Sequence, residues 1–140
     1  MTLALQDQVE AIVEAVREPM GLDRWSLRIE TGALEDCRAC CQASPEYREA
    51  TIRFDFDKLE TGDDLTETTV HELAHCHTWP LHAVAEKLAD SVADSLPKGQ
   101  RDAVRAAVQE YVREAAERVT TDVGQTYLRL LRRAGVLDGV

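Results

Sequence analysis

Positive charge is in short supply in this sequence, where 16 Lys and Arg residues stand against 26 Asp and Glu residues and the net charge is −10. Proteins that bind nucleic acid through its phosphates normally present a basic surface, so the charge balance argues against that function class. No apolar stretch approaches the roughly 18 residues that a membrane-spanning helix needs. The first 17 residues also lack the basic start and apolar core of a signal peptide. We therefore expect a cytoplasmic protein that binds neither nucleic acid nor a membrane.

The four cysteines form no complete metal-binding set. Cys37 and Cys40 have the spacing of a zinc-ligand pair, but no second pair completes a four-cysteine structural site. We interpret Cys37, Cys40 and the adjacent Cys41 as small apolar side chains in a strand, and Cys76 as a core residue. Reduced thiols suit a cytoplasmic protein. Any further role of the three clustered cysteines stays open.

Apolar periodicity predicts one α+β domain over residues 1–140, with a helix first, then a small sheet, then a run of helices. The first helix is expected where Leu5, Val9, Ile12, Val13 and Val16 recur at helical spacing, and Pro19 and Gly21 end it. Alternating apolar and polar residues predict three strands, at 25–30, 37–43 and 50–56, and Ile52, Phe54 and Phe56 are expected on the inward face of the last one. A turn at 44–46 joins the last two strands. If hairpins connect them all, the sheet is mostly antiparallel.

Three further helices are predicted downstream of the sheet. One covers about 63–77 and stops before Pro80, which cannot easily continue a helix. The next covers about 81–96. Residues 100–134 form one long helix or two joined near Gly124. The apolar residues that mark the expected core face of this long helix are Val104, Val108, Tyr111, Val112, Ala115, Val119 and Val123.

The motif that carries chemistry is the run His71-Glu72-Leu73-Ala74-His75. Residues four apart share a helix face, so His71 and His75 can close on one zinc ion. Glu72 can then reach a water in the open coordination position of zinc and accept its proton. The motif has apolar neighbours, and buried histidines need polar partners, which zinc would supply. The alternative is a pair of solvated histidines on an amphipathic helix.

A catalytic zinc site usually has three protein ligands, and the third must come from elsewhere in the chain. His77 lies on a different helix face from His75. The remaining candidates are His82, Asp90 and Asp94 on the next helix, and Glu110, Glu114 and Glu117 on the long helix. A glutamate from a later helix is the commoner solution in small proteases. Periodicity does not select among the three glutamates, which lie opposite the expected core face beside small residues that suit the approach of another helix.

Residues 70–77 resemble the active-site helix of a family of small zinc metallopeptidases from phages and bacteria, which is similar to the minimal gluzincins. Residues 47–55 resemble the edge strand that those proteins place before the helix. Residues 117–124 resemble their glutamate helix, in which a small residue follows the glutamate by seven positions. The resemblance spans about residues 25–128 and implies a zincin-like fold, a Zn²⁺ cofactor and a peptide or protein substrate.

The same resemblance favours Glu117 as the third ligand, with Glu114 as the alternative. In gluzincins an Asp four residues after the glutamate supports a ligand histidine, whereas this chain has Thr121 there and Asp122 one position on. A hydroxyl holds an imidazole less strongly than a carboxylate does. The expected site is thus His71, His75 and Glu117 as metal ligands and Glu72 as the catalytic base.

We therefore expect a zinc-dependent peptidase in which Glu72 takes a proton from the attacking water and passes it to the leaving amine. Tyr111, Tyr127 or His77 could donate to the oxyanion, and the strand at 50–55 could dock an extended substrate by strand addition. The alternative function is a catalytically weak, zinc-stabilised binding or accessory protein of phage or prophage origin. The sequence leaves the oligomeric state and the cleavage preference open.

Overall fold

The computed structural model describes residues 4–140, which form an α+β fold of three long helices and a three-stranded sheet. The elements are, in chain order, α1 (Leu5–Val16), β1 (Ser26–Thr31), β2 (Ala39–Ser44), β3 (Glu49–Phe54), a 3-10 turn (Phe56–Lys58), α2 (Asp63–Asp94) and α3 (Lys98–Arg133). The expected α+β class and the first helix are confirmed. Within these residues no helix is long and apolar enough to cross a membrane.

The sheet is mixed, and the prediction that it would be mostly antiparallel is wrong. β3 lies in the centre, pairing antiparallel with β2 on one side and parallel with β1 on the other. The tight turn after Ser44 makes the β2–β3 hairpin as expected. Residues 32–38 instead carry the chain from β1 across to the far edge of the sheet. That crossing leaves β1 beside β3, and a parallel pair needs such a connection rather than a tight turn.

One face of the sheet is buried against the helices. On β3 the alternating residues Ala50, Ile52 and Phe54 are buried, which agrees with the expected inward face of this strand. Phe56 was predicted to continue that face, but it lies in the 3-10 turn and stacks on Phe54, with ring centroids 5.8 Å apart. The same core holds the buried side of α1 and the first half of α2, so the motif helix rests directly on the sheet.

α2 runs unbroken from Asp63 to Asp94, so the prediction of two helices separated at Pro80 is wrong. Proline inside a helix removes one hydrogen bond and clashes with the preceding turn, at a cost of roughly 3 kcal/mol. Packing on both sides of Pro80 offsets this cost. Before it, Cys76 and Thr78 are buried, and after it Ala85 is buried.

α3 is one helix that continues through Gly124, and it packs chiefly on α2. The predicted core face of α3 is wrong: Tyr111 and Val119 are 70% and 42% exposed. The buried residues are Ala116, Thr120, Gly124, Leu128 and Leu131. The first part of α3 pairs with the last part of α2 as a helical hairpin, whose buried positions on α2 are alanines. The apolar spacing on that part of α3 therefore does not mark the domain core.

Asp55 fastens the 32–38 crossing to the end of β3. Its Oδ2 accepts a hydrogen bond from the Leu34 N–H at 3.1 Å and its Oδ1 accepts one from the Asp57 N–H at 3.2 Å. Lys58 Nζ lies 3.5 Å from Oδ2. The Leu34 amide, then the Asp57 amide and Lys58, hold the pKa of Asp55 below its usual value.

We expect Asp55→Asn to lower the free energy of unfolding near neutral pH, because the variant loses a charged acceptor for two amides. A carboxyl whose pKa is lower in the folded protein stabilises it above the unfolded pKa of about 3.9, and that contribution is lost as pH falls through the folded pKa. The difference between wild type and variant in urea unfolding should therefore shrink on acidification. A difference that stays constant from neutral pH down to about pH 2.5 would contradict this account.

Candidate metal centre

The burial of the apolar residues in the motif determines the direction in which its histidines project. Val70, Leu73 and Ala74 are fully or almost fully buried, which sets the rotation of α2 about its axis. The rings of His71 and His75 then lie side by side on the α3-facing side, with centroids 5.1 Å apart. Ligand atoms of His71, Glu72 and His75 all lie within 4.8 Å of one another, a group that could hold a metal ion.

Glu117 reaches the same two histidines from α3. Its Oε1 lies 2.8 Å from His71 Nε2, and its Oε2 lies 3.4 Å from His75 Nε2. His71 and Glu117 are 46 positions apart in the sequence, and the packing of α3 on α2 brings them into contact. Glu110 instead pairs with Arg113 on its own helix at 2.9 Å. Glu114 lies one turn before Glu117 on α3 and lines, together with it, a cavity on the outer side of that helix.

Gly124 lets α3 come close enough for this contact. A Cβ built on Gly124 would lie 3.4 Å from the His71 Cα and 3.8 Å from the Ala74 Cβ, so the two helices touch there. A buried hydrogen bond of 2.6 Å between the Thr78 and Thr120 hydroxyls holds the helices together further along. Glu117 lies two helical turns before Gly124 on α3, so it projects to the same side.

Glu72 and His75 are buried, whereas the side chains of His71 and Glu117 are 27% and 49% exposed. Burial governs the titration of the first two residues. Burial, helped by the nearby Glu117 carboxylate, raises the pKa of Glu72 to about 8. Burial lowers the pKa of His75 to about 4, reinforced by His71 and opposed by Glu117. A neutral His75 keeps a nitrogen lone pair free for a metal ion.

An unpartnered carboxylate oxygen, Glu72 Oε2, points to a cation at this place. Among residues 4–140, three buried side-chain atoms have no hydrogen-bond partner: Glu72 Oε2, His75 Nδ1 and His82 Nε2. Such atoms are costly to bury without compensation. A divalent cation held between the Nε2 atoms of His71 and His75 would favour the charged carboxylate of Glu72. The donor set of two imidazoles and a carboxylate therefore fits a zinc ion.

A cleft of about 340 Å³ between β2, α2 and α3 is lined by His71, Glu72 and Glu117 of the centre. Its strand side is formed by residues 37–39 at the start of β2, and Thr68 and Gln125 contribute from the two helices. Arg38 is fixed there by Asp64, with Nη1 2.6 Å from Oδ1. Nothing local in the sequence marks Arg38 or Gln125, because the loop crossing and the helix pairing bring them to the cleft.

The strand expected to dock substrate is not at the edge of the sheet. Residues 50–55 include most of β3, which pairs on both sides, so the prediction that this segment accepts an added strand is wrong. The same applies to the resemblance of residues 47–55 to an edge strand. The strand at the edge beside the cleft is β2. Sequence alternation finds strands but does not order them in a sheet.

The three expected oxyanion donors lie away from the cleft lining. Tyr111 is exposed on the hairpin. His77 Nε2 lies 2.6 Å from the Met20 carbonyl oxygen, and its ring stacks on Tyr127 with centroids 5.8 Å apart. His77 and Tyr127 therefore brace α2 against the α1 end and against α3. Their roles are structural.

Of the other candidate ligands, the two aspartates lie away from the centre and His82 lies beside His75. Asp90 and Asp94 lie on the hairpin, 2.9 and 3.9 Å from Arg105 nitrogens. The ring of His82 lies 6.0 Å from that of His75. Thr121, at the position where the resemblance implies a supporting Asp, lines the outer cavity on α3 with Asp122.

The cysteines are free thiols with different environments. Cys76 is buried, as predicted, and Cys41 is half-buried against it; the hydrogen bond between them and burial raise the pKa of Cys41. Cys40 and Cys41 lie in a strand, as interpreted, whereas Cys37 lies outside it, and the side chains of Cys37 and Cys40 are exposed. Cys37 precedes β2 and lines the cleft, whereas Cys40 alternates to the outer face of the sheet.

Comparison of the chain with models of known protein families, with curated proteins and with solved structures found no significant match. The resemblance to small zinc metallopeptidases therefore stays a prediction. What bears on function is the arrangement of His71, Glu72, His75 and Glu117.

Gly124→Val should destabilise the protein by about 1–3 kcal/mol, because its side chain would push α3 away from the His71 backbone. The displacement of Glu117 should also weaken zinc binding. Gly124→Ala should be tolerated, since one methyl group makes ordinary contacts and favours the helix. Gly99→Val is the matched control, because nothing lies within 4 Å of that position. Urea unfolding and zinc titration measure both effects, and a Gly124→Val protein with wild-type stability would contradict them.

Proposed function

We propose that this protein is a zinc-dependent metallopeptidase with a zincin-like arrangement of helices. The observation that carries the proposal is the convergence of His71 Nε2 and His75 Nε2 on the Glu117 carboxylate, at 2.8 and 3.4 Å. Glu72 follows His71 directly and is 6% exposed. A purely structural zinc site does not require a buried carboxylate beside its ligands.

His71, His75 and Glu117 are the residues that would hold zinc. Two imidazoles and one carboxylate are the ligands of a catalytic zinc site that keeps one position open. Zinc, when bound, acidifies a water molecule and polarises the scissile carbonyl group of the substrate. Glu72 is assigned as the base because Glu117 already supplies the carboxylate ligand, and a Glu72 oxygen still lies within 4.8 Å of a ring nitrogen of each histidine.

Glu72 would act as the general base and then the general acid. Its Oε2 has no hydrogen-bond partner among the described residues, so it is free to accept the proton of the attacking water. Burial makes the carboxylate more basic than an exposed one, and a neighbouring cation keeps it ionised until it takes that proton. The same oxygen then donates the proton to the leaving amine.

The substrate class is an extended peptide or protein segment that lies along the edge strand. β2 offers an edge beside the cleft, and added strands bind through main-chain hydrogen bonds. Arg38 stands on the cleft wall with one nitrogen tied to Asp64, which leaves other guanidinium N–H groups for a substrate carbonyl. Arg38 thus takes the place of the tyrosines and His77 as the candidate oxyanion donor.

A second candidate is a zinc-stabilised binding protein, and one observation favours it. The hairpin formed by the end of α2 and the start of α3 exposes Leu81, Val84 and Leu88 at 44%, 64% and 52%. These residues recur at helical spacing, while the alanines beside them are buried. In this alternative, zinc contributes folding free energy and the hairpin carries the activity.

The protein purified without added metal should contain one zinc per chain, and Glu117→Ala should lose most of it because only two ligands remain. Elemental analysis measures the content. Glu114→Ala is the matched control, one turn earlier on α3 and outside the His71 contact, and should keep its zinc. A wild-type protein that neither carries nor takes up zinc would overturn the proposal.

Glu72→Gln should keep zinc and stability but lose peptide hydrolysis by roughly 10²–10⁴-fold, since it removes the proton acceptor and leaves the ligands. Hydrolysis is measured on a mixed peptide library with mass-spectrometric detection of new termini. Loss of zinc in this variant would instead make Glu72 a ligand. If the zinc-loaded wild type cleaves no peptide in the library, the accessory-protein alternative is favoured.

A further inference from the structure

His82 is a histidine that the proposed reaction leaves unused, and it lies beside a metal-binding residue. Its Nε2 is one of the three buried atoms without a hydrogen-bond partner in residues 4–140, and His75 Nδ1 is another. The two rings lie 6.0 Å apart, centroid to centroid, at an angle of 42°. Two neighbouring rings therefore each carry a nitrogen that needs a partner.

The fold keeps these two rings next to each other. His75 and His82 are about two turns apart on α2, which places both on the α3-facing side of the helix. Trp79 contacts both, with its ring 6.5 Å from that of His75 and 5.1 Å from that of His82. The indole covers the pair from one side, which limits the access of bulk water.

The two ring nitrogens of His75 have different surroundings. Its Nε2 faces the Glu117 carboxylate at 3.4 Å, on the side shared with His71. Its Nδ1 is left for another partner. The ring contacts of His82 are with His75 and Trp79, so His82 extends the row of rings instead of joining His71 around one ion.

A histidine that binds a metal through Nε2 carries a proton on Nδ1, and a hydrogen bond from that N–H fixes the tautomer and the angle of the ring. Carboxylates often accept this bond. Here the position where the resemblance implies a supporting Asp is Thr121, which lines the outer cavity on α3. His82 is the nearby side chain with an unpaired nitrogen.

We propose that His82 is a positioning residue for His75: its Nε2 accepts the hydrogen bond of His75 Nδ1–H, directly or through one water, and so aims His75 Nε2 at the metal position beside Glu117. The inference rests on the proposed zinc site. A ring–ring separation of 6.0 Å is bridged by a small side-chain rotation or by one water molecule.

His82→Phe keeps a flat ring of similar size and removes both nitrogens, whereas His82→Gln restores a polar acceptor. Zinc affinity is measured by competition with a chromophoric chelator. We expect a 10–100-fold weaker affinity in His82→Phe, as for other residues that support a ligand, and a recovery to within a few-fold in His82→Gln. His77→Phe is the control for loss of a structural histidine on the same helix, and it should lower the melting temperature without such a loss of affinity.

Two spectra separate a positioning role from other roles. In the zinc-loaded wild type, the His75 Nδ1–H proton should exchange slowly and appear downfield in NMR, and His82→Phe should remove that signal. The visible spectrum of the Co²⁺-substituted protein should stay the same in His82→Phe, because the ligands are unchanged. Unchanged zinc affinity and an unchanged Nδ1–H signal would overturn the proposal, and so would a changed Co²⁺ spectrum, which would make His82 a ligand.

Failure of the proposed zinc site is recognised separately. If the wild type takes up no zinc, the metal-centre proposal fails, and the His75 ring nitrogens are then read in the metal-free protein by ¹⁵N NMR. A shift of the Nδ1 resonance in His82→Phe would support the His75–His82 hydrogen bond, and an unchanged resonance would overturn it.

Discussion

The close packing of α3 on α2 is the constraint on which the candidate centre depends. Gly124 lies against the His71 backbone, and the Thr78 and Thr120 hydroxyls share a buried hydrogen bond at 2.6 Å. Both contacts require a short distance between the axes of α2 and α3. Only at that separation does Glu117 span the two histidines, so the ligand geometry is a property of the helix pair.

The same packing sets the electrostatics of the centre. Removing water from Glu72 and His75 disfavours the charged form of each, which raises the pKa of the carboxyl and lowers that of the imidazole. A neutral histidine and a basic carboxylate are what metal binding and proton transfer need. The cost is a set of buried polar atoms without hydrogen-bond partners. A cation beside Glu72 and His75, and a hydrogen bond from His75 Nδ1–H to His82 Nε2, would offset it.

Local patterns predicted the elements better than their arrangement. The first helix and the strand segments follow from apolar periodicity within a few residues. Pro80 was misleading because a stop signal acts on the isolated chain, whereas packing against α3 keeps the helix intact. The apolar stripe of α3 that includes Tyr111 was misleading for a related reason. The first part of α3 packs on the end of α2, away from the sheet, so apolar residues such as Tyr111 stay exposed there.

What the sequence determined by itself is the pairing of His71 with His75, since residues four apart meet on any α-helix and the buried Leu73 sets which side of it faces inward. Periodicity left three candidate glutamates on the later helix, and only the resemblance to small zinc metallopeptidases favoured Glu117. The tertiary structure alone decided which glutamate meets the histidines, which strand forms the edge at the cleft, and that His82 stands beside His75. Those contacts join distant segments, and their geometry depends on how whole helices and strands pack, which no short-range pattern encodes.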